Sequence, residues 1–165
     1  MKIEIILPII LLMIILFFIF KNKKSIIKVD DIIDYSPVTS QLSLFELTLL
    51  DLINYQRVNL GLNELIPENE CRILAYKHTK YMIAENEVSH DFAFARKYEL
   101  FRRGASLYGE NVGYGYSSNQ SFFNAYMKSE VHKNMIETKK FTHIGVRVLK
   151  SKDNKYYNTL IFATF

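Results

Sequence analysis

Sixteen consecutive apolar residues, Ile5 to Phe20, constrain this chain more than any other feature. Such a run cannot lie on the surface of a water-soluble fold, so it is set apart from whatever domain follows. A helix over it rises about 1.5 Å per residue to roughly 24 Å, a little under the hydrocarbon thickness. Local bilayer thinning and lysine snorkelling close a gap of that size. A cleavable signal peptide would end in small residues of A-x-A type. Here the run ends in Phe17-Phe18-Ile19-Phe20 and passes into Lys21-Asn22-Lys23-Lys24. The expectation is an uncleaved membrane anchor or signal-anchor over residues 1–24. A tether interrupted by Ser36-Pro37 follows over 25–40, and one folded domain over 41–165.

Charge divides along the same boundary. The net charge is +4 over the chain, but residues 1–30 carry +3 of it and the remainder only +1. A nearly neutral domain has no basic excess with which to follow a phosphate backbone, so no nucleic-acid partner is expected. The single cysteine, Cys71, excludes an intramolecular disulfide framework and any multi-cysteine metal cluster.

Apolar periodicity predicts helices over about Ser43 to Leu60, Glu68 to Asn86, Ala93 to Arg103 and Asn119 to Ile136. In the first, Leu44, Leu47, Leu50, Tyr55 and Val58 recur at helical spacing; in the second, Cys71, Leu74, Ala75, His78 and Met82 share one face. Leu62 to Pro67 reads as an ordered connection. Alternation around Ile144, Val146 and Val148, and the β-branched and aromatic run Tyr156 to Phe165, predict two strands joined by a turn at Ser151 to Lys155. Early helices and late strands define an α+β fold with a mostly antiparallel sheet.

Four histidines are available for chemistry. His78, in mid-helix, reads as a packed structural residue, and His143, just before a strand, as a surface one. His90 follows Val88-Ser89 past the end of the second helix, and His132 lies in Ser129-Glu130-Val131-His132-Lys133-Asn134-Met135. Between them stands Gly109-Glu110-Asn111-Val112-Gly113-Tyr114-Gly115. A carboxylate flanked by glycines in an apolar-aromatic stretch is not an ordinary solvated charge, and burying it requires a histidine or a cation beside it. Two histidines and a carboxylate (His90, Glu110, His132) are a credible open zinc set. A buried polar network that only fixes the fold is the other reading of the same residues. The chain carries no G-x-S-x-G elbow, H-E-x-x-H helix or P-loop, and Cys71 sits at a core position.

The ordered set of motifs resembles the CAP superfamily (cysteine-rich secretory proteins, antigen 5 and pathogenesis-related 1 proteins) in its short bacterial form. The carriers are Leu50 to Arg57 with Gly61-Leu62, Leu74-Ala75 with His78, Ser89-His90, and Arg103-Gly104. Gly109-Glu110-Asn111-Val112, Ser129 to Lys133, and Phe141 to Val146 complete the series. The resemblance implies an α-β-α sandwich with a cleft formed by His90, Glu110, Asn111, Glu130 and His132. A divalent metal, zinc first, would then sit on His90, Glu110 and His132. The chain departs from the family pattern at Tyr126, where tryptophan is usual, at Glu130-Val131 in place of Pro-Gly, and at Met135. Glu130 does not match the spacing of the second glutamate found in longer relatives.

Three functions follow as expectations. The first is a membrane-tethered domain whose cleft binds a metal and a lipid, peptide or cell-wall component. The second is a metal-dependent hydrolase in which Glu110 and His132 are the candidate catalytic groups and Glu110 acts as base. The third is a surface interaction module whose cleft is vestigial. The lysines after the apolar run argue for a cytoplasmic domain; the resemblance argues for an extracytoplasmic one and is given more weight.

Overall fold

A computed structural model describes residues 42–165; the expected anchor and tether lie outside the described residues. Ser43 opens helix α1 (Leu44–Asn59) with a capping box, its hydroxyl accepting from the Glu46 amide while the Glu46 carboxylate accepts from the Ser43 amide. Strand β1 (Ile66–Pro67) leads to α2 (Asn69–Glu85), and α3 (Ala93–Arg102) leads to β2 (Leu107–Tyr114). Then come α4 (Asn119–Lys128), α5 (Glu130–Glu137), β3 (His143–Lys150) and β4 (Tyr156–Thr164). The sheet order is β1-β3-β4-β2, antiparallel except for the short parallel pairing of β1 with β3. Proline is tolerated in β1 because that strand lies at the edge.

Alternation along β4 shows why helices cover both faces. Leu160 and Phe162 join Ile144 and Val146 against Leu49, Ile53, Phe122, Tyr126 and Ile136 from α1, α4 and α5. Ile161 and Ala163 point the other way, into Cys71, Leu74, Ala75 and Leu100 from α2 and α3. A strand buried on both faces needs a layer on each, and the result is an α-β-α sandwich.

Two expectations are corrected. Of the apolar stripe read on α1 only Leu50 is buried: Leu44, Leu47, Tyr55 and Val58 are exposed, and the buried face is Glu46, Leu49, Leu50, Ile53 and Arg57. Two charged residues hold that face because each is satisfied inside. Glu46 takes the Arg147 guanidinium at 3.2 Å and the Val148 amide at 3.1 Å. Arg57 donates to the carbonyls of Ile136, Asn63, Thr138 and Phe141 at 2.7 to 3.2 Å, tying α1 to the end of α5. The single helix expected over Asn119 to Ile136 is two, broken where Ser129 turns extended at φ −93° and ψ 116°. The stretch Leu107–Tyr114 is a strand, and the connection before α2 contains β1. Glycines weaken the strand signal of β2, yet the packing demands one of them. A Cβ at Gly109 would lie 2.3 Å from Met135 Sδ and 2.7 Å from the Phe141 ring.

Candidate functional site

The site is built on β2, which is an edge strand. Glu110 is opposite Ile161 of β4 and shares its face, toward α2 and α3; Asn111 is opposite Leu160 and shares the face toward α4 and α5. Consecutive residues of one strand therefore serve the two helical layers.

On the first face, four donors surround the Glu110 carboxylate. Arg96 gives a two-pronged contact, Nε to Oε2 at 2.7 Å and Nη2 to Oε1 at 2.8 Å. The Tyr108 hydroxyl donates to Oε2 at 2.7 Å, and His90 Nδ1 lies 2.8 Å from Oε1. Burial alone would raise the carboxyl pKa. Hydrogen bonds from His90 and Arg96, the Arg96 charge and the Tyr108 hydroxyl outweigh that and bring it down to about 2. The Tyr108 hydroxyl is pushed the other way, first by burial and then by the Glu110 charge.

The loop between α2 and α3 is latched around this carboxylate. His78, buried in α2, meets the Ser89 carbonyl through Nε2 at 2.7 Å and stands 3.8 Å from Glu110. Burial, then the Arg96 charge, lowers its pKa, so it serves as a neutral strut. Arg96 Nη1 donates to the Asp91 carbonyl at 2.7 Å, and the Tyr81 hydroxyl donates to the Asp91 carboxylate at 2.9 Å. Phe92 follows in the left-handed region at φ 60°, a conformation that costs a bulky residue about 1–3 kcal/mol and persists because its surroundings impose it. The outcome is a His90 side chain that is 52% exposed on a carboxylate that is 3% exposed.

On the second face, Asn111 Nδ2 donates to the carbonyl of His132 in α5 at 3.0 Å, and the His132 ring meets the edge of Tyr126 at 5.4 Å between centroids. Burial, then the charge of His90, lowers the His132 pKa. Glu130, the first residue of α5, is exposed.

Around β2, His90 meets Glu110 on one face and the His132 carbonyl meets Asn111 on the other. These residues do not form a preassembled three-ligand centre. Among the described residues no three His, Cys, Asp or Glu side chains converge closely enough to hold a metal ion. The physical reason is that the Glu110 oxygens are already engaged by Arg96, Tyr108 and His90. Arg96 and Tyr108 escaped the sequence reading, although the need of Glu110 for a cation was visible. Arg96 and Leu100, four apart, form the buried face of α3, a pairing that marks the arginine only once its partner is known.

Fold and site define an α-β-α sandwich organised around a saturated buried carboxylate with a half-exposed histidine on it. The cysteine-rich secretory protein (CAP) family model matches residues 50–164, and the chain belongs to that family. The uncharacterized membrane protein YlbC of Bacillus subtilis strain 168 is 30% identical over 119 residues, 68% of this chain; the chain spans about a third (32%) of that relative's length. An outer surface protein of Borrelia burgdorferi superposes with a TM-score of 0.66 at 21% identity, over 71% of this chain and 90% of that one. An extracellular SCP-domain protein of Bacillus anthracis superposes at 0.63 and 24% identity, over 73% and 40%. These likenesses establish the shared fold.

Proposed function

We propose that this chain is a membrane-tethered, extracytoplasmic binding module. Its cleft, rimmed by His90 and His132, takes a small or extended ligand such as a lipid, a peptide or a cell-wall component. The single observation that carries the reading is the His90–Glu110 contact. An imidazole that donates Nδ1–H to a buried carboxylate keeps the lone pair of Nε2 free, here on a half-exposed ring. Burial, which lowers the His132 pKa and favours its neutral ring, makes that imidazole a second such donor. Together they suit a divalent cation, zinc first, whose other positions are left to water or ligand. Glu110 is then the support behind a ligand rather than a ligand. A carboxylate held at about 2 and bonded by four donors is a poor general base, which favours binding over hydrolysis.

Zinc titrated calorimetrically into the detergent-solubilised chain should bind at neutral pH. Binding should weaken on acidification, because only neutral imidazoles are ligands. His90→Ala and His132→Ala should each remove it, whereas His143→Ala, at the start of β3, should not. Unchanged affinity in the double histidine variant would sink the reading.

Sidedness is supported by relatives named as membrane, outer surface and extracellular proteins. Protease added to intact cells should therefore digest the domain while a cytoplasmic marker stays whole. Digestion only after lysis would put the domain in the cytoplasm, the side that the lysines after the apolar run favour.

A further inference from the structure

Helix α3 has one buried side and an apolar side opposite it. Its buried side carries Arg96 and Leu100. Phe94, Tyr98 and Phe101, spaced i, i+4 and i+7, fall within about 60° of one another on the far side of the helix. They are 80%, 58% and 40% exposed. Phe92, just before the helix, is exposed as well. An outward aromatic stripe on a ten-residue helix contributes nothing to the core, so its burial lies elsewhere.

Charge indicates what covers it. At 100° per residue Lys97 and Arg102 fall on the two edges of the stripe, and Arg103 follows at the helix end. Lys97 Nζ lies over the Phe101 ring at 5.2 Å. The one acid of the helix, Glu99, is drawn to Arg102 and Arg103 at 3.8 and 3.1 Å, away from the stripe centre. Aromatic rings bordered by cations suit the headgroup level of an anionic bilayer. The exposed apolar stripe on α1 lacks this pattern, for Asp51 interrupts it and its only basic residue, Arg57, is buried. Residues 25–40 span at most about 55 Å even fully extended, so a chain anchored through residues 1–24 keeps the domain close to a membrane surface.

We propose that α3 docks on the surface of an anionic lipid bilayer, with Phe94, Tyr98 and Phe101 at the headgroup boundary and Lys97 and Arg102 on lipid phosphates. This rests on the membrane-tethered reading given above. Since His90 lies two residues before Phe92, docking brings the rim of the cleft to the lipid surface.

The chain has no tryptophan, so one introduced residue is a clean reporter. The full chain carrying Phe94→Trp is reconstituted into vesicles of anionic phosphatidylglycerol with brominated acyl chains. Its fluorescence should shift to the blue and be quenched, whereas that of Val131→Trp, exposed on α5 in the other layer, should not. Quenching should fall in zwitterionic vesicles, and Lys97→Glu or Arg102→Glu should each weaken docking by roughly fivefold or more. An unquenched Phe94→Trp signal in anionic vesicles overturns the proposal. So does a blue shift without quenching, which would put protein on the stripe, either the acidic tether or a second copy. Flotation of the vesicles separates the two readings. A chain that does not float denies the anchor, and quenching of the same reporter by added vesicles still decides the role of α3.

Discussion

Arg96→Met should be the most damaging single change at the site. It removes both prongs from a carboxylate that is 3% exposed, and an uncompensated buried charge costs about 3–5 kcal/mol. For a domain of this size the melting midpoint should fall by roughly 10–20 °C. Arg96→Lys should recover only part of this, since an ammonium keeps the charge and loses the two-pronged geometry. The pH dependence is the diagnostic readout. Glu110 has a folded-state pKa depressed from 4.5 to about 2, so its contribution is present above 4.5 and is lost as pH falls from there toward about 2. Without Arg96, burial weighs more heavily against the charged form, and acidification then relieves strain instead of costing stability. Urea midpoints at neutral pH and at about pH 3 should differ strongly for the native chain and far less for the variant. An equal acid loss in both would show that Arg96 is not what holds the carboxylate ionised.

Gly145→Ala should be comparably severe for a different reason. An added Cβ would lie 2.2 Å from the Cys71 carbonyl carbon and 2.4 Å from both the Cys71 oxygen and the Arg72 nitrogen. All three are backbone atoms, so no side chain can swing aside, and α2 must lift from β3. The cost expected is about 3 kcal/mol or more, at the upper end of what overpacking produces. Gly109→Ala is the control. There the obstacles are the Met135 thioether and the Phe141 ring, which can shift, and about 1–2 kcal/mol is expected. Chemical denaturation of the two variants should separate them clearly. Similar losses would mean that α2 and β3 can part at little cost.

Where burial is purely apolar, the sequence was legible. Cys71, Leu74, Ala75 and Met82 mark the inner face of α2, and alternation marks β3 and β4 with the turn between them. It misled where charges are buried. On α1 the apolar residues at helical spacing other than Leu50 face water, and the core side includes Glu46 and Arg57. Nothing local announces that Arg147 or the end of α5 will be there to receive them. The glycine-flanked carboxylate also signalled itself, because Glu110 in an apolar stretch had to find a cation, and it takes Arg96 with His90 beside it.

By itself, then, the sequence determined the α+β class, the apolar N-terminal run, the family and the identity of the histidines and carboxylate around β2. Only the tertiary structure decided which donors Glu110 takes. Arg96 lies 14 residues before it on another element, and Tyr108 two before it on the same strand. Whether a carboxylate is free to bind a metal depends on which donors the packed layers bring within 3 Å. Periodicity carries the burial of apolar surface, which is additive along the chain. Pairing of a buried charge is a choice among distant neighbours, and the fold makes it.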